Sequence, residues 1–193
     1  MKTASRFLLT WIEREVLACR PIALRYFCSS TLRVARKRDG SPVTQADRAI
    51  EERLRRALRR ACPGEPIVGE ELGASGRPSD TFWTVDPIDG TRAFSRGLPS
   101  WGIMVGRVER GQAVLGLIDF PAIDVTIGVA PGVKPYERIG GRVIPLARAQ
   151  PAPALSDAVI FHGGSRWWRR TRYAAGFDRL MRACYLERAY GDC

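Results

Sequence analysis

The sequence predicts a layered α+β fold in which N-terminal helices cover an antiparallel sheet, followed by an incomplete second α/β domain. Helical hydrophobic periodicity marks the first part of the chain. Strand-like segments separated by turns follow, and a Pro/Ala-rich stretch precedes the last part. With 193 residues, 45% of them hydrophobic, the chain can bury a core.

Two amphipathic segments begin the chain. Residues 5–35 are expected to be helical, with Pro21 kinking or dividing the helix. Residues 46–61 give the clearest helix, because apolar residues line one face and arginines the other, and Pro63-Gly64 ends it. The apolar positions that carry the two patterns are Leu8, Leu9, Ile12, Val16 and Leu17, then Ile50, Leu54, Ala57, Leu58 and Ala61.

Strand signals occupy the middle of the chain. Ile67-Val68 is short, whereas residues 81–85 are β-branched and aromatic. Residues 103–108 and 113–120 predict a hairpin, and residues 123–130 predict a further strand. Helices followed by several antiparallel strands are typical of an α+β layer.

A domain boundary is expected at residues 151–154, which read Pro-Ala-Pro-Ala. After it, residues 158–161 predict a buried strand and residues 168–182 a helix. We therefore assign residues 1–150 to an α+β domain. Residues 151–193 are expected to form only the start of an α/β domain.

The charge balance favours anionic partners. The chain carries 31 Lys and Arg against 20 Asp and Glu, a net charge of +11. Phosphate esters, nucleic acid and acidic surfaces all fit this excess, as does an arginine-rich coding bias without function. No helix-turn-helix, zinc-finger or RNA-recognition signature accompanies it, so nucleic-acid binding is an alternative and not the leading interpretation.

The five cysteines are widely spaced and contain no CxxC pair, which favours neither a zinc site nor a disulfide framework. We expect a reducing, cytoplasmic setting and no membrane span. The N-terminal apolar run meets Glu13 too early for a signal peptide. His162 is the only histidine, and we interpret it as a strand-end residue with satisfied hydrogen bonds.

The most informative segment is Asp86-Pro-Ile-Asp-Gly-Thr91. A strand delivers Asp86 to its C-terminal end, and Asp89 can converge with it across a tight turn. Gly90 permits a close approach of ligand to backbone. A helix that begins at Gly90 or Thr91 offers free N–H groups to a phosphate.

More carboxylates lie upstream. Glu70 and Glu71 end another short strand, and Asp47 begins the clearest helix. Oxygen-only ligands select hard cations such as Mg²⁺. Each element has a plainer interpretation, namely a helix N-cap for Asp47, a solvated surface pair for Glu70 and Glu71, and an Asp/Pro/Gly turn for Asp86.

Taken in order, the segment 39–44 (DGSPVT) with Asp47, the segment 69–71 (GEE) and the segment 86–91 (DPIDGT) resemble the inositol-monophosphatase superfamily. The form KxDGSPVTxAD from Lys37, with Gly-Asp-Cys at 191–193, is similar to the histidinol-phosphatase branch. The resemblance covers residues 10–120 well. It implies a sandwich of the sugar-phosphatase type, Mg²⁺ as cofactor, and a small phosphate ester such as histidinol phosphate or inositol monophosphate. Dimers are common in such families, so a homodimer is a further expectation.

The resemblance also implies residue roles. Glu70, Asp86 and the Ile88 carbonyl would hold one Mg²⁺, and Asp86 and Asp89 would share a second. Thr91, hydrogen-bonded to Asp47, would orient and deprotonate the attacking water with help from Glu70. The amides of Gly90 and Thr91 would bind phosphate, with Glu71 and Lys37 as supporting residues.

The sequence departs from the family pattern in two places. The family normally has a further aspartate ligand in a Trp-Asp motif, and this chain has no Trp-Asp pair. Residues 132–146 only approximate the usual Gly-x-Gly-Ala turn. Three hypotheses follow: a Mg²⁺-dependent phosphomonoesterase, a truncated remnant that binds Mg²⁺ or phosphate with impaired turnover, and a basic nucleic-acid-binding protein. A truncated chain would expose apolar surface, so poor solubility or self-association is expected.

Overall fold

A computed structural model describes residues 2–147 and 150–189, and these residues divide between two compact units, Met1–Leu146 and Ala147–Cys193. The predicted Gly-Asp-Cys segment at 191–193 lies outside the described residues. None of the described helices is long and apolar enough to cross a membrane.

The first unit places helices against one large sheet, which confirms the predicted α+β fold. Its helices are α1 (Lys2–Leu17), α2 (Arg20–Tyr26), α3 (Gln45–Ala61) and α4 (Thr91–Phe94). Its strands are β1 (Val34–Arg36), β2 (Pro42–Thr44), β3 (Ile67–Gly69), β4 (Gly73–Ser75), β5 (Thr81–Asp89), β6 (Gly102–Glu109), β7 (Gln112–Phe120), β8 (Val125–Ala130), β9 (Val133–Ile139) and β10 (Arg142–Pro145).

The large sheet has the order β10-β9-β8-β7-β6-β5-β3-β4. All neighbours are antiparallel except β3 and β5, which run parallel. Because β3 and β5 are parallel neighbours, their carboxyl ends lie at the same edge of the sheet. The acidic residues that follow β3 are thereby brought beside those at the end of β5.

The core forms where α1 and α3 cover the sheet. Ile12 and Leu54 from the helices and Trp83, Ile103 and Leu117 from the strands are all buried. Alternate residues of β5 face this core, as expected for a strand with one covered face. Each large apolar side chain removed from water contributes about 1.5–3 kcal/mol, so this layer fixes the position of the helices.

Several predicted boundaries were wrong. The predicted helix over 5–35 ends at Tyr26, and residues 34–36 instead pair with 42–44 as a β-hairpin. The chain breaks between α1 and α2 at Ala18-Cys19, and Pro21 lies in the first turn of α2, where its missing N–H costs nothing. Strands β9 and β10 extend the sheet over residues that gave no strand prediction.

The second unit contains a parallel strand pair joined by helices. Its elements are β11 (Val159–His162), α5 (Ser165–Trp168), α6 (Ala174–Ala183) and β12 (Leu186–Ala189). The helix predicted over 168–182 begins only at Ala174, because residues 169–173 form turns after α5, and β12 was not predicted. His162 ends β11 with Nε2 2.7 Å from Glu187 Oε2, and its Nδ1 accepts from the Gly164 amide at 3.0 Å. The interpretation of His162 as a strand-end residue with satisfied hydrogen bonds is confirmed.

Candidate active site

The turn from β5 into α4 is shaped by Pro87 and Gly90. The pairing of β5 with β6 shifts register between Asp86 and Asp89, so the strand leaves the ladder where the acidic residues lie. Gly90 has φ +85°, and a Cβ there would lie 2.7 Å from the Ser100 carbonyl oxygen. Only glycine satisfies both conditions. Helix α4 then starts at Thr91, as predicted, although it spans only four residues.

Thr91 joins this turn to the start of α3. Its Oγ1 lies 3.3 Å from Asp47 Oδ1 and 3.0 Å from the Ile88 carbonyl oxygen, and both contacts are buried. The Ile88 carbonyl thus accepts a hydrogen bond from Thr91, while the Ile88 side chain is fully buried in the core. The predicted partnership of Thr91 with Asp47 is present in the structure.

The plainer interpretation of Asp47 as the N-cap residue of α3 is wrong. Thr44 is the N-cap residue, and Asp47 is the third helical residue of a capping box with it. Asp47 Oδ2 accepts from the Thr44 amide at 2.8 Å and from Thr44 Oγ1 at 2.5 Å. Burial raises the pKa of Asp47, while hydrogen bonds from Thr44 and Thr91 act in the opposite direction. Asp47 is therefore a buried, oriented acceptor whose other oxygen faces Thr91.

Lys37 lies between the two glutamates that follow β3. Its Nζ is 2.6 Å from Glu70 Oε1 and 2.6 Å from Glu71 Oε1. The Glu71 side chain is 4% exposed and that of Glu70 is 41% exposed. The interpretation of the two glutamates as a solvated surface pair is therefore wrong for Glu71, which is buried. Burial raises the pKa of Glu71 despite the neighbouring ammonium. Burial disfavours the charge on Lys37, but hydrogen bonds to Glu70 and Glu71 outweigh it and raise the pKa of Lys37.

Asp86 is the most perturbed carboxyl of this site. Burial raises its pKa to about 8, together with hydrogen bonding to Glu70 and the negative charges of Glu70 and Asp89. Its Oδ1 is buried and, within the described part of the chain, has no hydrogen-bond partner. A buried carboxylate oxygen without a partner is costly, and a cation is one way to satisfy it.

The donor set fits a hard divalent cation, because Glu70, Asp86 and Asp89 offer only oxygen atoms. The side chains are not, however, gathered around a common point. Over residues 2–147 and 150–189, no three His, Cys, Asp or Glu side chains are arranged to hold a metal ion together. Glu70 instead contacts Lys37. A cation would have to draw Glu70 away from the ammonium.

Two residues beside this site escaped the sequence reasoning. Glu51 and Arg55 are 0% and 3% exposed, although the arginines of α3 were expected on its solvent face. Arg55 Nε donates to Glu51 Oε1 at 2.7 Å, and Glu51 Oε2 accepts from the Glu71 amide at 2.8 Å. The four-residue spacing from Asp47 through Glu51 to Arg55 could have predicted this burial, because it puts all three residues on one face of the helix.

Comparisons with known proteins identify the family of this chain. A model of the inositol monophosphatase family matches residues 15–175. The histidinol-phosphatase of Mycobacterium tuberculosis is 36% identical over 170 residues, which cover 86% of this chain and 64% of that protein. The histidinol-phosphatase of Streptomyces coelicolor is 34% identical over 173 residues, with the same coverage of 86% and 64%.

A solved inositol monophosphatase from Zymomonas mobilis has the same fold, with a TM-score of 0.77 and 29% identity. That similarity covers 97% of this chain and 70% of the Zymomonas chain. The chain spans 64% of the length of the two curated relatives.

Proposed function

The chain belongs to the inositol monophosphatase family, and on this premise we propose that it hydrolyses a small phosphate monoester with Mg²⁺ as cofactor. The predicted similarity to the histidinol-phosphatase branch is confirmed by two relatives of that name. The observation that carries the proposal is the buried carboxylate oxygen of Asp86 that, among the described residues, has no hydrogen-bond partner. It lies in the same strand-turn-helix segment as Thr91, which contacts the buried Asp47.

In this proposal the cation ligands are Glu70, Asp86, Asp89 and the carbonyl oxygen of Ile88. When bound, Mg²⁺ supplies Lewis-acid stabilisation of negative charge on the phosphate and lowers the pKa of water. The proposal is supported by the all-oxygen donor set and by the raised pKa of Asp86, which reflects burial first and then the neighbouring carboxylates of Glu70 and Asp89.

The chain's own groups would orient and deprotonate the attacking water. With the Ile88 carbonyl as a cation ligand, the single hydroxyl hydrogen of Thr91 would be donated to Asp47 alone. The oxygen lone pairs of Thr91 would then be free to accept a hydrogen bond from water. Burial raises the pKa of Asp47 and makes its carboxylate a stronger acceptor. Glu70, which is 41% exposed, is the second candidate base.

The amides of Gly90 and Thr91 are proposed to bind the phosphate, because the first N–H groups of a helix have no acceptor within that helix. Lys37 adds a positive charge beside Glu70 and Glu71. The net charge of +11 would also attract an anionic ester from solution.

Histidinol phosphate and inositol monophosphate are the proposed substrates, because the similar proteins are histidinol-phosphatases and an inositol monophosphatase. We further propose that residues 1–150 carry the metal and phosphate site, that the protein is cytoplasmic, and that its oligomeric state is a homodimer. The odd number and wide spacing of the cysteines, which do not favour a disulfide framework, support the location.

A binding protein without turnover is the second candidate. It is favoured because, over the described residues, no three acidic, histidine or cysteine side chains surround a common point. Such a protein would bind Mg²⁺ or phosphate through Asp86 and Asp89.

Phosphate release from a panel of small phosphomonoesters, with Mg²⁺ or with EDTA, separates the two candidates. Asp86→Asn is the test variant, and Asp80→Asn, at an exposed position before β5, is the matched control. We expect Mg²⁺-dependent release that Asp86→Asn abolishes and Asp80→Asn retains. A folded wild-type protein that binds Mg²⁺ but releases no phosphate would instead establish the binding protein.

A further inference from the structure

Helix α3 carries a row of buried charged residues that the proposed chemistry uses only in part. Asp47, Glu51 and Arg55 follow one another at four-residue spacing and are 0%, 0% and 3% exposed. Asp47 contacts Thr91, but Glu51 and Arg55 do not contact the reacting groups. Buried charges are retained only where other groups satisfy them, so their partners indicate their purpose.

Glu51 holds the turn between β3 and β4 through backbone hydrogen bonds. Its Oε2 accepts from the Glu71 amide at 2.8 Å, and its Oε1 accepts from the Leu72 amide at 3.2 Å. The turn at residues 70–72 is therefore fixed by a side chain from α3.

Arg55 forms hydrogen bonds on the C-terminal side of the same turn. Its Nη1 donates to Ser75 Oγ at 3.0 Å, and its Nη2 donates to the Gly73 carbonyl. Its Nε donates to Glu51 at 2.7 Å, so each member of the pair also orients the other. Together the two side chains contact the turn on both sides of Leu72.

The backbone lies directly on this ion pair. A Cβ at Gly69 would be 1.9 Å from Glu51 Oε1 and 2.7 Å from Arg55 Nη2. Any side chain at Gly69 would displace the pair. The end of β3, which is followed at once by Glu70, is thus pressed against α3.

We propose that Glu51 and Arg55 are positioning residues, which fix the turn carrying Glu70 and thereby set the affinity of the site for a divalent cation. The proposal rests on the proposed function for the role of Glu70. A purely stabilising role is a poor explanation, because a buried ion pair can often be replaced by apolar residues without loss of stability. The ion pair makes hydrogen bonds to four backbone and side-chain groups at this turn. Apolar residues could not make these hydrogen bonds.

The test measures Mn²⁺ binding to the full chain by electron paramagnetic resonance, which counts free Mn²⁺ and requires no turnover. Glu51→Gln and Arg55→Lys are the variants. Asp119→Asn is the matched control, because Asp119 is also fully buried and paired with an arginine, Arg20, but contacts no part of the turn.

We expect Glu51→Gln and Arg55→Lys to weaken Mn²⁺ binding about tenfold, as the loss of groups that orient metal ligands does elsewhere. Asp119→Asn should lower thermal stability and leave Mn²⁺ affinity unchanged. Arg55→Lys keeps the positive charge but loses the forked hydrogen-bond donors of the guanidinium group. It therefore still tests the proposal if Glu51→Gln fails to fold. Unchanged affinity in Arg55→Lys, or an equal loss in Asp119→Asn, would overturn the proposal.

Hydrogen exchange of the Glu71 and Leu72 amides gives a second readout that does not need a cation. In Glu51→Gln or Arg55→Lys these amides should exchange faster while amides of β6 keep their protection. Unchanged exchange at both amides would also overturn the proposal. A wild-type protein that binds Mn²⁺ but releases no phosphate would refute the proposed function alone, since affinity and exchange still test the positioning role.

Discussion

Thr91 Oγ1 lies 3.3 Å from Asp47 Oδ1, so the first residue of α4 contacts the first turn of α3 although 44 residues separate them in sequence. Thr44 holds the other oxygen of Asp47. The Asp47 carboxylate thus has one oxygen that keeps α3 capped and one that orients Thr91. Because the two oxygens have different partners, substitutions of those partners should affect catalytic activity and folding stability separately.

Replacing Asp47 with asparagine should lower kcat about 100-fold or more, because the group that accepts the Thr91 proton is lost. Thr91→Val should have a similar effect, whereas Thr91→Ser keeps the hydroxyl and should retain most activity. Steady-state kinetics at saturating Mg²⁺ measure the effect, with circular dichroism to confirm folding. Equal activity of Thr91→Val and Thr91→Ser would exclude a role for the hydroxyl.

Gly90→Ala should destabilise the protein more than Gly64→Ala. Both glycines have nearly the same φ, +85° and +86°, so both substitutions incur the left-handed cost of about 1–2 kcal/mol. Only at Gly90 does the added methyl group also meet the Ser100 carbonyl at 2.7 Å, since nothing lies within 4 Å at Gly64. Urea unfolding compares the two free energies. Equal losses in the free energy of unfolding would mean that the turn at Gly90 accommodates the methyl group without an energetic penalty.

Arg20→Ala should destabilise the fold by about 3–5 kcal/mol, because it leaves a buried carboxylate without its cationic partner. Arg20 Nη2 donates to Asp119 Oδ1 at 2.7 Å, and Asp119 is fully buried. Arg56→Ala is the control, since Arg56 pairs with Glu52 at 3.7 Å where both side chains are more than half exposed. That change should alter the free energy of unfolding by less than about 1 kcal/mol. Similar losses in both variants would argue against burial as the cause.

Mg²⁺ should raise the thermal unfolding temperature of the wild-type protein, and EDTA should reverse the shift. At 100 times the dissociation constant, binding to the folded state alone contributes about 2.7 kcal/mol. Asp86→Asn should lose the shift, whereas Asp80→Asn should keep it. Differential scanning fluorimetry makes the comparison. A full shift in Asp86→Asn would remove Asp86 from the ligand set.

Local sequence patterns predicted much of the fold because each depends on neighbouring residues only. The apolar stripe of α3 gave its ends to within a residue, and the β-branched run ending at Val85 located β5. The hairpin of β6 and β7 followed from the Gly111 turn between alternating strands. Strands β9, β10 and β12 were missed because their residues carry little apolar alternation, and their pairing comes from neighbouring strands.

The acidic motifs identified the candidate site, because Asp47, Glu70, Asp86 and Asp89 could be read in order along the chain. The sequence by itself therefore determined the family and the α+β class, and it predicted which residues would supply oxygen ligands. Only the tertiary structure decided that β3 runs parallel to β5, that Lys37 ties Glu70 to Glu71, and that Glu51 and Arg55 lie beneath the turn. These contacts join residues from separate elements, and local periodicity carries no information about which elements become neighbours. The physical reason is that burial of the shared core, not local propensity, sets that choice.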